Sequence, residues 1–342
     1  MIMDQSEKET AQLYIQTGGI SLARRRRRKR QKHNGARIAF CAFVEVIVML
    51  ILVVIIGWNK GVKDWLEDLG TPVVKEVDVS GINSTCAVLI QAKGGKVIGE
   101  MNAKERIYPA SLTKMMTAIV AIENLDSLNQ EITLTNEMFA GLYEQDATQA
   151  GFQPGETVTA LDLLYGVLLP SGAECCIALA DTIAGSEADF VAMMNKKAEK
   201  IGMENTHFCD STGLHNPEHY STVMDMAVLL KYCLRDQDFR KIIESPWYYT
   251  GPTNVHPDGI TYYSTMFKNL SDTAVTGGKI LGGKTGYTSQ AGQCLASFAE
   301  ILDREYILVT AGAPGDSGSA LHVQDAVTIY NRLGAAALAL AG

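Results

Sequence analysis

Ser111, Lys114, Ser171 and the run Lys284-Thr285-Gly286 are the residues whose types and spacing can do chemistry in this 342-residue chain. Ser111 and Lys114 stand three apart in Ser111-Leu112-Thr113-Lys114, after Tyr108-Pro109-Ala110 and before a run of good helix formers. On a helix that spacing places hydroxyl and amine on one face. A serine so placed can be activated by an amine in place of a histidine. The amine must then be neutral, although a free lysine titrates at about 10.4. Burial and a nearby second cation both disfavour the charged form, and Lys284 is the candidate cation. A serine opening a helix also offers its backbone N–H and the positive end of the dipole to a developing oxyanion. Taken alone, the same four residues also describe a capping serine with a solvated lysine.

Two further motifs follow in order. Ser171-Gly172-Ala173 lies in Leu168-Leu169-Pro170-Ser171-Gly172-Ala173-Glu174, where Ser171 is placed to hand a proton to a leaving amine or to cap a helix. Lys284-Thr285-Gly286 lies in Leu281-Gly282-Gly283-Lys284-Thr285-Gly286-Tyr287-Thr288. Its glycines admit close approach of another backbone. An edge strand here can add an extended peptide as one more strand, with Lys284 and Thr285 on its terminal carboxylate. The competing reading is a glycine-rich turn.

These motifs need elements to hold them. Thr85 to Gln91 and Lys96 to Glu100 are short apolar runs around Ala92-Lys93-Gly94-Gly95, which predicts a hairpin. A helix is predicted over 111–124. Helical patterns continue through Ala160–Leu169, Cys175–Ile183, Ala188–Ile201 and Thr222–Leu234, with Ser221 and Thr222 as good caps for the last. Strand patterns return at Ile280–Thr285, Gln293–Glu300 and Tyr306–Ala313, and a last helix is predicted over Ala320–Leu333. Strands at both ends with helices between imply one α/β domain, 81–333, with an inserted helical lobe. The early hairpin must pair with the late strands in one antiparallel sheet.

Upstream, Ala36 to Trp58 is a run of 23 mostly apolar residues interrupted by Arg37 and Glu45. That length spans a hydrocarbon core of about 30 Å at roughly 1.5 Å per residue. Glu45 costs about 2.5–3.5 kcal/mol near the bilayer centre, which the rest of the run absorbs. The basic run Arg24 to Arg30 before it predicts a cytoplasmic N-terminal tail, 1–35, and an extracytoplasmic remainder. No small-residue cleavage site follows, so the segment is expected to stay as a single-pass signal anchor in the cell membrane. Residues 59–80 are expected to be a linker and 334–342 a short tail. After residue 58 the chain carries 20 basic against 34 acidic side chains, a net charge of −14. A domain so acidic is a poor partner for nucleic acid. The six cysteines beyond the span show no disulfide framework and are expected as reduced, buried small hydrophobes. His215 and His219 are separated by Pro217, which argues against a zinc-binding helix and for a loop.

The ordered trio, with ASLTKMMTAIVAIE, GETVTALDLLYGVLLPSGAE, DSTGLHNPEHYST and GGKTGYTSQAG around it, resembles the D-alanyl-D-alanine carboxypeptidase family of low-molecular-mass penicillin-binding proteins. The resemblance covers roughly residues 80–333. It implies a serine β-lactamase/transpeptidase-like fold, an antiparallel sheet flanked by helices with the active site between lobe and sheet. By this resemblance Ser111 is acylated, Lys114 is its base, Ser171 belongs to the second motif, and Lys284, Thr285 and Gly286 bind substrate. Tyr287 and Ser111 supply oxyanion N–H groups. The implied substrate is a peptidoglycan stem peptide ending in D-Ala-D-Ala, with β-lactams as acylating inhibitors and no cofactor. The departures are specific. Ala173 stands where the family has asparagine, which raises the alternative of a catalytically impaired, wall-peptide-sensing homologue. A water or Glu174 is a candidate replacement. No Lys or Arg occurs in Ala311–Leu321, where relatives carry a carboxylate-binding base. The usual C-terminal β domain and amphipathic anchor are expected to be absent. A class A β-lactamase reading fails because Glu204 is followed four residues on by Phe208 rather than asparagine.

Overall fold

The structure is a computed structural model that describes residues 74–316 and 318–341, together with Ile47 and Met49. The chain divides into two units, residues 1–70 and 71–342. The basic tail, nearly all of the predicted span and most of the linker lie outside the described residues. Among the described residues no helix is long and apolar enough to cross a membrane.

The strands, in chain order, are β1 (Cys86–Gln91), β2 (Val97–Met101), β3 (Glu131–Thr133), β4 (Thr157–Thr159), β5 (Trp247–Tyr249), β6 (Thr261–Tyr263), β7 (Ala274–Val275), β8 (Gly278–Thr288), β9 (Gly292–Ile301) and β10 (Arg304–Ala313). The main sheet has the order β2-β1-β10-β9-β8-β7. Every pairing in it is antiparallel, so the early hairpin does join the late strands, with Cys86 opposite Ala311 and Gln91 opposite Tyr306. The short pairs β3–β4 and β5–β6 lie outside it and were not legible in the apolar pattern.

Both faces of the sheet are covered. On β10, Ile307 and Val309 enter one core while Tyr306 and Leu308 enter the other. On β1, Val88 and Ile90 face the first, Ala87 and Leu89 the second. Burial on both faces is why these strands read as continuous apolar runs. The larger core belongs to the helical lobe: α1 (Lys114–Asn124), α2 (Ala160–Leu168), α3 (Ala173–Ala184), α4 (Glu187–Ile201), α5 (Val223–Cys233) and α6 (Gln237–Ile243). Side chains of Thr159, Ser186, Thr222 and Asp236 accept the first-turn N–H groups of α2, α4, α5 and α6. The other core is covered by α7 (Leu321–Ala341), whose Val323, Ala326, Ile329, Tyr330, Leu333 and Ala337 recur at helical spacing.

Two boundaries differ from expectation. Helix α7 runs on through residues 334–341, read from sequence as a tail. Gly334 allows the close pass, because a side chain there would collide with the carbonyl of Thr276. Residues 74–80, read as linker, are packed: Val74, Val77 and Val79 are buried and Val77 N–H donates to Ile98 O at 2.6 Å. Each such side chain adds about 1.5–3 kcal/mol by burial. All six cysteines of the described residues are free, and all but Cys209 are buried.

Candidate active site

The Ser111 helix begins later than expected. Ala110–Thr113 form a 3-10 turn and the α-helix starts at Lys114. Ala110 holds a left-handed φ of 48° as the chain enters this turn. The tighter turn keeps the proposed pair together. Lys114 Nζ donates to Ser111 Oγ at 3.1 Å and to Thr212 O at 2.7 Å. For the amine to act as base the first bond must reverse, with Ser111 O–H donating to a neutral nitrogen.

The second pair joins the segment before α3 to β8. Lys284 Nζ donates to Ser171 Oγ and to Thr285 O, each at 2.9 Å. Ser171 is not the helix cap that its sequence position allows. Gly172 is the N-cap of α3, and Ser171 sits at a left-handed φ of 75°. A non-glycine residue there costs on the order of 1–3 kcal/mol and persists where surrounding contacts over-determine it. Here the bond to Lys284 is one such contact.

Lys114 is 3% exposed and Lys284 0%. Burial lowers the Lys114 pKa below the ordinary lysine range, opposed by Cys176, Asp210, Glu174 and Cys175. Burial also takes Lys284 well below it, and repulsion from Lys114 acts in the same direction. Desolvation is the largest cause for both amines, and the repulsion between them is felt at Lys284, whereas no lowering by Lys284 accompanies burial at Lys114.

Strand β8 behaves as the edge that the glycines implied. Strand β7 pairs only with Lys279 and Gly278, so Gly282–Thr288 has no strand on that side among the described residues. A Cβ on Gly286 would lie 3.0 Å from Ser111 N and 3.2 Å from Pro109 O. Glycine therefore lets β8 press against the Ser111 turn, with Tyr287 next along the strand.

The contacts of Glu174 do not fit the role of a replacement for asparagine. Ala173 is buried, and its backbone N–H donates to Thr148 O at 2.8 Å. Glu174 Oε1 accepts from Ala150 N at 2.6 Å and Gly151 N at 3.0 Å, while Oε2 is buried without a partner. It clamps the 150 loop rather than bonding either amine, and burial raises its pKa.

Several supporting residues escaped sequence reasoning. Asp210 Oδ1 accepts from Thr212 N, Thr212 Oγ1 and Gly213 N, folding the turn whose Thr212 carbonyl meets Lys114. Burial opposes the Asp210 charge, but hydrogen bonding and charge from His219 hold its pKa at about 2. His219 lies in a loop, as expected, yet is 2% exposed. It bridges Asp210 Oδ2 at 3.1 Å and Thr113 Oγ1 at 2.9 Å. Exposed His215 packs edge-on to Tyr108. The string DSTGLHNPEHYST was the signal, because it carries this turn and its histidine. Gly213 holds φ 84°, and a Cβ there would collide with Ala110 O. Gly213→Ala is expected to displace the Ser111 turn. Thermal unfolding should show a loss of about 1–3 kcal/mol, and penicillin acylation should slow; unchanged acylation would separate this turn from the nucleophile.

Residues 73–315 match the family described as Peptidase S11, D-alanyl-D-alanine carboxypeptidase. The chain belongs to that family. It is 34% identical over 230 residues to D-alanyl-D-alanine carboxypeptidase DacF of Bacillus subtilis, covering 66% of this chain and 57% of the relative. It is 33% identical over 251 residues to DacC of Escherichia coli, covering 70% and 59%. The chain thus spans less than two thirds of these family members' length. The crystal structure of the Streptomyces K15 DD-transpeptidase superposes with a TM-score of 0.66 at 25% identity, covering 73% of this chain and 97% of that one. The fold is the α/β transpeptidase type that the family motifs implied, a curled antiparallel sheet with helices.

Proposed function

We propose that this chain is a serine-type D-Ala-D-Ala carboxypeptidase that removes the terminal D-alanine of peptidoglycan stem pentapeptides. The observation that carries the reading is the facing pair of amine–hydroxyl contacts, Lys114 on Ser111 and Lys284 on Ser171. Neutral Lys114 takes the Ser111 proton as Oγ attacks the penultimate D-alanine carbonyl. Backbone N–H groups of Ser111 and Tyr287 hold the oxyanion. The C–N bond breaks, and the leaving amine takes its proton through Ser171. Water then hydrolyses the acyl-serine, with Lys114 again accepting the proton. Lys284, Thr285 and Gly286 hold the peptide and its carboxylate at the open edge of β8. β-Lactams acylate the same Ser111.

The anchor belongs to the same proposal. Residues 36–58, with the basic run before them, hold the protein in the cell membrane and place the catalytic domain outside. The acidity of that domain supports a substrate captured by local groups rather than by a long-range field. The test is D-alanine release from a diacyl-Lys-D-Ala-D-Ala peptide together with intact mass after benzylpenicillin. No release and no adduct on Ser111 would end the reading.

Ala173 supports a second reading, a homologue that binds wall peptide but turns over slowly. Ala173→Asn restores a positioned amide. A missing partner of this kind costs on the order of 1–3 kcal/mol. If the site is impaired, kcat/KM should rise by about 5- to 150-fold on restoration. No gain in steady-state D-alanine release would mean the native site is already complete.

A further inference from the structure

We infer that Thr265, outside all three motifs, is a specificity-determining residue that binds the substrate's terminal carboxylate jointly with Thr285. The inference rests on the carboxypeptidase reading and extends its carboxylate subsite. Thr265 Oγ1 and Thr285 Oγ1 are 2.6 Å apart. Each hydroxyl has one proton, so one O–H is used between them and the other remains to donate outward. A hydroxyl that accepts one hydrogen bond becomes a better donor in the next, so the pair acts as a polarised chain towards an anion.

The backbone fixes Thr265 between the segment that leads to Ser171 and strand β8. Its N–H donates to Leu169 O at 3.1 Å, two residues before Ser171. Its own carbonyl accepts from Asn269 Nδ2 at 2.9 Å. The hydroxyl then reaches Thr285 on β8. Both threonines are partly exposed, so a ligand oxygen can approach.

Ala311–Leu321 contains no Lys or Arg. The Lys284 amine directs two of its hydrogen bonds to Ser171 Oγ and Thr285 O, which leaves one for the carboxylate. The hydroxyl pair is therefore placed to do part of what a guanidinium would do. Its contribution is uniform binding rather than transition-state stabilisation, so it should act on KM.

The experiment uses two acyl donors, diacyl-Lys-D-Ala-D-Ala and the matching diacyl-Lys-D-Ala methyl ester, which lacks the carboxylate. Thr265→Val removes the hydroxyl at nearly constant shape, and Thr265→Ser keeps it. On the peptide, Thr265→Val is expected to raise KM about five- to tenfold with kcat little changed. On the ester it should leave KM unchanged, and Thr265→Ser should match wild type on both. Equal losses on both donors would make Thr265 a structural residue and overturn the inference, as would a Thr265→Val peptide KM equal to wild type. Wild-type protein inactive on both donors and unlabelled by benzylpenicillin would overturn the carboxypeptidase reading, and the subsite with it.

Discussion

Ser111→Ala is expected to abolish the benzylpenicillin adduct and to reduce D-alanine release by about 10⁶-fold, to background. Under the proposed mechanism, removing the Ser111 hydroxyl removes the covalent route. The substitution deletes one oxygen from a partly exposed residue, so the fold should be unaffected. Intact mass should show no penicilloyl increment, with a melting curve equal to wild type. An adduct that persists on another residue would sink the assignment of Ser111.

Lys114→Met is expected to slow acylation by about 10²–10⁴-fold, the usual worth of a positioned general base. Methionine keeps length and burial while losing the nitrogen. The pH profile supplies a second test. Burial lowers the Lys114 pKa from the 10.5 of an ordinary lysine. As pH falls through that lowered value the amine gains a proton and loses the lone pair that Ser111 needs, so the wild-type rate should fall on the acid side. In the variant that limb should vanish. Stability carries the opposite sign from activity in the mutant. The unfolded chain binds more protons than the folded one between the lowered value and the ordinary one, so native stability rises with pH across that window. Lys114→Met removes the Lys114 share of this dependence and its desolvation cost, leaving the share of Lys284, and its melting temperature should hold or rise at neutral pH. Retention of the wild-type rate and its acid limb would transfer the role of base to Lys284.

Much of the fold was legible from local pattern. Gly94-Gly95 between two apolar runs specified the hairpin, and the apolar runs of β9 and β10 specified strands buried on both faces. The helical lobe followed from periodicity and from caps such as Thr222. Boundaries were less legible where a distant contact decides them. Thr276 decides where α7 can pass, and Ile98 decides that Val77 is part of the domain. The 3-10 form of the Ser111 turn was also hidden, because SLTK fits either helix type.

By itself the sequence determined which groups are available: one hydroxyl three residues from an amine, a second serine, a lysine on a glycine-flanked strand, and no asparagine at 173. Tertiary structure decided what each group touches. Lys114 meets Thr212 from 98 residues away and Lys284 meets Ser171 from 113. The left-handed Ser171, the Asp210–His219–Thr113 chain and the Thr265–Thr285 pair exist only once these segments converge. Local propensity acts over a few residues, whereas desolvation and hydrogen bonding act on whatever the folded chain brings within about 3 Å.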